Sequence, residues 1–278
     1  MINLMHGDCL ELMKGIPDGS IDLTVTSPPY DNLRTYNGNN EQWGEHAWKP
    51  VIADLYRVTK NGGVVVWVVA DATIKGSETG TSFKQALWAM ECGFNLHDTM
   101  IWHKVAVPAY DPRNKRYKQS FEYVFVLSNG RPLTYNPIKD KPTKTKGMKG
   151  KTSRKTNGSI RKHPDVVFSF FQDRHNVWDC DTGYMRASKD KAAFGHPAIF
   201  PEALARDHII SWSNEGDIVF DPFLGSGTTG KMAVLLNRSF IGIEISEEYL
   251  DIARKRIDEA TKQTAQAGFF TAKELAAA

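Results

Sequence analysis

Short apolar runs alternate with amphipathic stretches along most of the chain. Apolar residues run together at 64–70 and 218–220, and the uninterrupted run at 64–70 is typical of a strand buried on both faces of a sheet; a strand is also predicted at 22–26. Apolar residues recur every three to four positions at 48–60 and 246–260, which predicts amphipathic helices. Further strands are predicted at 2–5, 98–102, 122–127 and 240–243, and further helices at 11–14, 82–92, 201–212 and 228–236. This alternation predicts an α/β fold, with a mostly parallel sheet of about seven strands and helices on both faces.

One segment departs from this pattern. Residues 132–195 are rich in Lys, Thr, Gly and Asn and show little periodicity, so we expect them to form an insertion. Residues 1–131 and 196–262 then form the two parts of a single α/β domain. Residues 263–278, which end in consecutive alanines, are expected to be a frayed tail.

Composition and cysteine usage narrow the class of protein. Hydrophobic residues make up 41% of the chain and charged residues 24%, as in an ordinary globular enzyme. No apolar run is long enough to span a bilayer, and the first residues lack the basic and apolar segments of a signal peptide. Cys9, Cys92 and Cys180 lie far apart without a CxxC pair, which indicates neither a disulfide framework nor a zinc site. We therefore expect a protein of the reducing cytoplasm with no metal and no membrane partner.

Positive charge is concentrated in two places. The net charge is only +3, but residues 139–162 contain many cations and a single acid, Asp140, and a shorter basic cluster lies at 113–118. Such blocks suit contact with the phosphates of a nucleic acid. The alternative is a solvated, disordered loop, and the two are compatible because such loops can become ordered on nucleic acid. The candidate nucleic-acid-binding residues are Arg113, Lys115, Arg116, Lys146, Lys149, Lys151, Arg154 and Lys155.

A glycine-rich turn follows a predicted strand in the last quarter of the chain. Residues 221–230 read DPFLGSGTTG and lead into a predicted helix, and the next predicted strand ends at Glu244. Glycines let the backbone approach a ligand closely, and an acid at the next strand end can accept hydrogen bonds from ribose hydroxyls. The motif therefore predicts a nucleoside-cofactor site. Two alternatives stay open: Gly225, Gly227 and Gly230 match the GxGxxG fingerprint of NAD enzymes, and a glycine cluster can be a purely structural turn.

A second motif, TSPPY, occupies residues 26–30 at the end of another predicted strand. Its two prolines fix a rigid extended turn without backbone N–H groups, so the carbonyl oxygens there stay available as acceptors. Ser27 adds a hydroxyl group and Tyr30 an aromatic face. The combination suits a flat ligand that carries an amino group, although a Pro-Pro turn can also be purely structural.

Together the two motifs resemble those of the amino-methyltransferases of DNA. Residues 26–30 match the family's (D/N/S)PPY catalytic motif, and 221–229 match its FxGxG cofactor motif. Residues 7–9 resemble the acidic strand end beside the cofactor's adenine, and 196–201 resemble the segment that packs on its methionine part. The catalytic motif precedes the cofactor motif, which is the permuted order of the family's beta class. The variable region between them, 132–195, corresponds to the family's target-recognition region.

The resemblance implies a Rossmann-like, S-adenosylmethionine-dependent methyltransferase fold, with a seven-stranded sheet and a circularly permuted motif order. It implies that Ser27 and the carbonyl of Pro28 accept the two hydrogens of an exocyclic amino group, which aims the nitrogen lone pair at the methyl group. The base would be flipped out of double-stranded DNA and stacked on Tyr30, with Phe121 as a second candidate. The implied catalytic residues are Ser27, Pro28, Pro29 and Tyr30. The implied cofactor-binding residues are Asp8, Cys9, Phe200, Pro201, Asp221, Pro222, Phe223, Gly225, Gly227, Thr228, Thr229 and Glu244.

The sequence leaves the identity of the methylated base open. Serine at the first motif position is commoner among N4-cytosine enzymes and aspartate among N6-adenine enzymes, so Ser27 favours cytosine, with adenine as the alternative. Methylation of RNA or of a protein glutamine, a binding protein without catalysis and an NAD-dependent enzyme are the other candidates; motif order and the basic insertion favour DNA. The resemblance also allows a homodimer and a cognate restriction endonuclease as partners in a prokaryotic or phage-encoded protein, and it equally allows an orphan enzyme.

Overall fold

The computed structural model describes residues 1–30, 43–105, 115–143, 149–167, 169–183, 185–196 and 199–275. The chain divides into two compact units. Met1–Asn136 together with Asn176–Ala278 form the first, and Pro137–His175 form the second. The second unit is narrower than the insertion expected at 132–195, because the residues that follow His175 return to the sheet of the first unit.

Helices and strands alternate through the first unit, as the hydrophobic pattern predicts. The helices are α1 (Cys9–Met13), α2 (Glu45–Val58), α3 (Thr81–Cys92), α4 (Glu202–Trp212), α5 (Thr228–Leu235) and α6 (Glu247–Leu275), with a 3-10 helix at Lys191–Gly195. The strands are β1 (Ile2–His6), β2 (Ile21–Thr26), β3 (Thr59–Val69), β4 (Thr73–Ile74), β5 (Ser77–Glu78), β6 (Asn95–Lys104), β7 (Phe121–Ser128), β8 (Lys139–Pro142), β9 (Lys149–Arg154), β10 (Ile160–Val167), β11 (Phe171–Asp173), β12 (Val177–Cys180), β13 (Ile218–Asp221) and β14 (Ser239–Glu244).

Eight strands of the first unit form one mixed sheet in the order β1-β14-β13-β2-β3-β7-β6-β12. Only β7 is antiparallel to its neighbours, and all the other neighbouring pairs are parallel. The expected α/β fold with a mostly parallel sheet is therefore confirmed. The expected number of seven strands is wrong, because β12 adds an eighth beside β6, with Val177 opposite Ile101. Four residues with alternate burial are too short to give a periodic signal.

The sheet brings the two ends of the chain together. Strand β13 lies between β14 and β2, where Phe220 is the partner of Thr24 and Asp221 is the partner of Gly242. Thr26 and Asp221, which are 195 positions apart in the chain, are consequently within hydrogen-bonding distance. The two sequence motifs thus follow adjacent parallel strands and emerge at the same edge of the sheet.

A hydrophobic core fixes this edge from one face of the sheet. The buried residues of α2 recur at spacings of three and four, as predicted for an amphipathic helix, and each is at most 1% exposed: Trp48, Val51, Ile52, Leu55 and Val58. They belong to the same cluster as the inward side chains of β3, and the Trp67 indole N–H donates to Gln85 Oε1 of α3 at 2.9 Å.

Two expected boundaries differ from the structure. Strand β3 begins directly after α2, so Gly62 lies inside the strand, where its φ of +82° accommodates a register shift against β2. Helix α6 continues to Leu275, so the segment expected as a frayed tail is helical over most of its length. The alanines, lysines and glutamines after Ala260 are strong helix formers, which explains the extension.

The second unit contains two antiparallel strand pairs, β9 with β10 and β8 with β11. Arg174 anchors the second pair by an ion pair with Asp140, with Nη2 and Oδ2 2.5 Å apart, and by its backbone N–H to Ile138 O. Asp140, the one acid of the basic segment, therefore has a structural partner, and the hydrogen bond from this guanidinium lowers the pKa of its carboxyl group below the ordinary value.

Candidate active site

A cavity of about 970 Å³ lies at the carboxyl ends of the central strands of the first unit. Ser27 and Tyr30 line it from the end of β2, and Asp221 and Gly225 line it from the end of β13. Glu244 lines it from the end of β14. The two motifs therefore face one shared space, whose volume lies near the upper end of the range of about 300–1,000 Å³ that is ordinary for ligand pockets.

Most of the residues predicted for the site line this cavity. They are Ser27, Pro29 and Tyr30 of the catalytic motif and Asp8, Cys9, Phe200, Asp221, Pro222, Phe223, Gly225, Thr228, Thr229 and Glu244 of the cofactor set. Pro28, Pro201 and Gly227 are not among the lining residues. Pro28 is buried, Pro201 is the N-cap of α4 and Gly227 is the N-cap of α5. Pro201 and Gly227 shape the backbone that carries the lining residues, and Pro28 lies between the two lining residues Ser27 and Pro29.

The glycine turn adopts left-handed backbone conformations that favour glycine. Gly225 has φ +52° and Gly227 has φ +79°. A Cβ on Gly225 would lie 3.2 Å from His196 Nε2, whereas one on Gly227 would lie 2.8 Å from the Cβ of Ala253 in α6. The first glycine therefore leaves room at the cavity wall, and the second lets α6 pack against the turn.

The third glycine of the GxGxxG spacing has a packing role. A Cβ on Gly230 would lie 2.5 Å from Ile257 Cδ1 and 2.6 Å from Phe240 Cε1. Glycine at this position is thus required by the contact of α5 with α6 and the sheet, with or without a dinucleotide.

Glu244 holds the turns on both sides of its strand end. Its Oε2 accepts a hydrogen bond from Gly225 N at 2.7 Å, and its Oε1 accepts one from Ser246 N at 2.9 Å. Burial raises the pKa of this carboxyl group, which is 8% exposed. Each oxygen keeps a further lone pair, so the residue is suited to accept hydrogen bonds from vicinal hydroxyl groups of a ribose.

Asp8 and Cys9 line the cavity just beyond the end of β1, beside the end of β14, where Gly7 N donates to Glu244 O at 3.0 Å. Asp8 Oδ1 accepts from Leu10 N at 2.8 Å and Glu11 N at 3.3 Å, so it caps α1. Burial and the Asp8 carboxylate raise the pKa of the Cys9 thiol to about 12. The thiol thus stays protonated near neutral pH and is a poor nucleophile.

Asp221 connects the two motifs. It is 4% exposed, and its Oδ1 accepts hydrogen bonds from Thr26 Oγ1 at 2.6 Å and from Phe223 N at 3.1 Å. Burial raises its pKa to about 6, although these hydrogen bonds act in the opposite direction. Thr229 adds a second link, because its hydroxyl donates to Val25 O at 3.1 Å.

The catalytic motif continues into residues that the sequence did not single out. Ser27 Oγ and Tyr30 OH are 2.8 Å apart, and Tyr30 OH donates to Glu122 Oε2 at 2.5 Å. Lys104 Nζ lies 2.6 Å from Glu122 Oε1. Glu122 stands out only as an acid in the otherwise apolar strand β7. Phe121 beside it lines the cavity and packs edge-on against Tyr123, with ring centroids 5.3 Å apart.

Arg256 is a second residue that sequence reasoning missed. Its side chain has 0% exposure and bonds the turn at Ser226, with Nη1 3.1 Å from Ser226 Oγ and a further bond to Ser226 O. Its other nitrogens pair with Asp190 at 2.7 Å and Glu202 at 2.9 Å. The signal in the sequence is a cation on the apolar face of α6, one position before Ile257.

The basic candidates divide between the two units. In the first, Lys115 is exposed and Arg116 bonds Glu78, itself a lining residue, at 2.9 Å. In the second, Arg154 and Lys155 are exposed at the end of β9. Lys149 and Lys151 belong to β9, whereas Arg113 and Lys146 lie outside the described residues.

Two features are absent from the part of the chain that the structure describes. Within it, no group of three or more His, Cys, Asp or Glu side chains could hold a metal ion. None of the helices described is long and apolar enough to cross a membrane.

The chain has relatives among known proteins. The model of a DNA methylase family, which comprises N6- and N4-methyltransferases, matches residues 21–255. The chain belongs to this family of DNA amino-methyltransferases, whose methyl donor is S-adenosylmethionine. The predicted family, enzyme class and cofactor are thereby confirmed, and the NAD alternative is set aside.

Individual relatives cover nearly the whole chain. An orphan methyltransferase of Bacillus amyloliquefaciens, M.BamHII, is 54% identical over 250 residues, which are 88% of this chain and 92% of that protein. A DNA adenine methyltransferase of Escherichia coli (strain K12), YhdJ, is 30% identical over 95% of this chain and 85% of its own length. The solved PvuII DNA methyltransferase, described as cytosine-N4-specific, has the same fold, with a TM-score of 0.65, 23% identity, and coverage of 95% of this chain and 92% of its own.

Proposed function

We propose that this protein transfers a methyl group from S-adenosylmethionine to the exocyclic amino group of a cytosine that is flipped out of double-stranded DNA. One observation carries the proposal: the turn with Glu244 and the motif with Ser27 and Tyr30 open into a single cavity. A donor held by the first motif and a base held by the second would therefore meet inside it.

The residues around the glycine turn fit the methyl donor. Gly225 presents its backbone without a side chain, and the Glu244 carboxylate offers acceptors suited to ribose hydroxyls. Asp8 lines the cavity beside the end of β14, and Phe200 and Phe223 add apolar surface. When bound, the donor supplies an activated methyl group on a sulfonium, so the protein contributes alignment and charge complementarity.

The catalytic motif would orient the acceptor nitrogen. An aromatic amino group is a weak nucleophile, because its lone pair is delocalised into the ring. We assign acceptor roles for its two hydrogens to Ser27 Oγ and the carbonyl of Pro28, which would direct the lone pair towards the methyl group. The Tyr30 ring would stack on the extruded base, with Phe121 as a second aromatic surface.

The choice of cytosine rests on Ser27, since serine at this motif position is commoner among N4-cytosine enzymes. Adenine N6 is the second candidate, and the identity with the adenine methyltransferase of Escherichia coli favours it. The exposed basic residues Lys115, Arg154 and Lys155 are proposed to contact DNA phosphates, and the irregular segment 132–195 to select the sequence that is methylated. A homodimer and a cognate restriction endonuclease are not part of the proposal.

Methylation of mixed-sequence duplex DNA with isotope-labelled S-adenosylmethionine, followed by nucleoside mass spectrometry, tests the activity and the base together. We expect labelled N4-methylcytosine. Labelled N6-methyladenine would assign the second candidate instead, and the absence of any labelled nucleoside would overturn the proposal.

Replacement of Ser27 by alanine tests the role of its hydroxyl group. Ser27→Ala should lower kcat by roughly 10²–10³-fold, as loss of one preorganised polar contact at a reacting group commonly does. The affinity for S-adenosylmethionine, measured by calorimetry, should stay near that of the wild type, because Ser27 is not part of the glycine turn. Ser20→Ala, whose hydroxyl bonds Pro17 O instead, is the control; unchanged turnover in Ser27→Ala would remove the assigned role.

A further inference from the structure

We propose that Glu122 is a positioning residue for this reaction: acting through Tyr30, it fixes the Ser27 hydroxyl as a hydrogen-bond acceptor towards the amino group of the substrate. The inference rests on the proposed function of the cavity, and it assigns a direction to each hydrogen bond behind the catalytic motif.

Three separate elements meet at this chain of contacts. Ser27 and Tyr30 follow β2, whereas Glu122 is the second residue of β7 and Lys104 the last residue of β6. Strands β6 and β7 are paired there, with Trp102 opposite Glu122. The atoms are close throughout: 2.8 Å from Ser27 Oγ to Tyr30 OH, 2.5 Å from Tyr30 OH to Glu122 Oε2, and 2.6 Å from Glu122 Oε1 to Lys104 Nζ.

Burial makes these contacts consequential. The Glu122 side chain is 8% exposed and that of Lys104 is 21% exposed, so water screens their ion pair only weakly. Lys104 Nζ also lies 5.5 Å from the centre of the Trp102 ring, which restricts where its charge can move. A carboxylate placed beside a lysine in this way acts only as an acceptor of hydrogen bonds.

The acceptor character of Glu122 determines the direction of the other hydrogen bonds. Tyr30 has a single hydroxyl hydrogen, and Glu122 receives it. The Tyr30 oxygen then accepts the hydrogen of Ser27, because the two oxygens are 2.8 Å apart and one of them must donate. The Ser27 hydrogen thus points away from the substrate.

A Ser27 oxygen without a free hydrogen can only accept hydrogen bonds from a ligand in the cavity. It would attract an amino group. A ring carbonyl at the same place would be repelled, because two hydrogen-bond acceptors would then face each other without a hydrogen between them. The arrangement therefore favours cytosine and adenine over bases that carry a carbonyl at this position, and it stabilises the amino geometry needed for transfer. A purely structural role, in which Glu122 and Lys104 only join β6 to β7, predicts none of this.

Glu122→Gln separates the two roles. Glutamine keeps the size of the side chain but can both donate and accept, so the direction of the Tyr30 and Ser27 hydrogens is no longer fixed. On the duplex DNA that the wild-type protein methylates, kcat should fall roughly 10-fold or more, as misaligned catalytic groups usually cause. KM for DNA and the Kd for S-adenosylmethionine should stay near wild type. Glu45→Gln, an exposed carboxylate paired with Lys49, is the matched control.

Tyr30→Phe provides a second variant that leaves the pair of Glu122 and Lys104 in place and retains the aromatic ring. It should show a similar loss of kcat. Because Glu122 acts through the Tyr30 hydroxyl, adding Glu122→Gln to Tyr30→Phe should change kcat by no more than about twofold.

Several outcomes would overturn the inference. A wild-type kcat in Glu122→Gln or in Tyr30→Phe would do so, and so would losses of kcat that multiply fully in the double variant. A lowered melting temperature that explains the loss in Glu122→Gln, while Tyr30→Phe remains fully active, would also contradict it. Failure of the proposed function is distinguishable, because it would appear as absence of DNA methylation by the wild-type protein.

Discussion

Asp221 shows how one side chain ties the two motifs together. Its carboxylate accepts hydrogen bonds from Thr26, directly before Ser27, and from the backbone of Phe223 at the start of the glycine turn. An acid with 4% exposure is costly to ionise, so burial raises its pKa to about 6. The residue therefore links the glycine turn to the TSPPY motif, and the free-energy cost of keeping its ionised carboxylate buried depends on pH.

The stability of the protein should reflect this cost between about pH 4 and pH 6. The pKa of Asp221 rises from 3.8 to about 6 on folding, so within this window the folded state holds a proton that the unfolded chain has released. The contribution of this group is fully present below the unfolded pKa and is lost as pH rises through the folded one, by up to about 3 kcal/mol. Asp221→Asn removes this pH-dependent loss of stability, because the amide does not ionise, and it retains an acceptor oxygen. The difference in free energy of unfolding between this variant and wild type should therefore increase by up to about 3 kcal/mol from roughly pH 4 to pH 7.

Urea denaturation at the two pH values measures this difference. Asp251→Asn, at an exposed position of α6, is the control for a generic change of charge. An equal difference between Asp221→Asn and wild type at both pH values would mean that Asp221 titrates in the folded protein as it does in the unfolded chain.

At the scale of secondary structure, the contact of α6 with the glycine turn shapes the side of the cavity that is proposed to hold the cofactor. Gly227 has a left-handed φ of +79°, and a Cβ added to it would lie 2.8 Å from the Cβ of Ala253. Arg256, one turn further along α6, bonds the adjacent Ser226. The helix therefore holds the turn both by close packing and by a buried guanidinium.

Gly227→Ala should destabilise the whole fold, as well as weaken cofactor binding. Backbone strain of about 1–2 kcal/mol adds to an overpacking cost of about 1–3 kcal/mol. Gly216→Ala is the matched control, since Gly216 has φ +88° but would meet no atom within 4 Å. Thermal or urea unfolding should therefore show a clearly larger loss at Gly227. Adding Ala253→Gly should recover part of it, and equal losses at the two glycines would refute the packing argument.

The sequence predicted elements with strong periodicity and missed contacts that only tertiary structure creates. The alternation of apolar runs located α2 and β3, and the order of motifs placed Ser27 and Glu244 at strand ends. Strand β12 escaped prediction because four residues in an irregular segment carry no period. Glu122 and Lys104 escaped because their pairing depends on the register of β6 with β7, which no local pattern encodes.

At the scale of the whole molecule, chain order and spatial order differ in a way that serves the site. Strands β13 and β14, from the last quarter of the sequence, lie between β1 and β2 from its beginning. The cavity is therefore completed only when both ends of the chain have folded. Between the two motifs the chain supplies β3, β6, β7 and β12 of the same sheet, and residues 137–175 form a compact unit of their own.

Charge on that second unit gives the prediction for DNA binding. Arg154 and Lys155 are adjacent and exposed, and loss of each phosphate contact lowers the slope of log affinity against log salt concentration by about 0.9. Arg154→Gln with Lys155→Gln should therefore weaken binding to duplexes of any sequence and reduce the slope by up to about 1.8. Arg254→Gln with Lys255→Gln makes the same charge change at exposed positions of α6 and is the matched control. Fluorescence anisotropy across a salt series measures both. If the two double variants have equal slopes, Arg154 and Lys155 do not touch phosphates, and the DNA must be held elsewhere. A slope that is reduced only in the variant at Arg154 and Lys155 places the backbone of the DNA on the second unit.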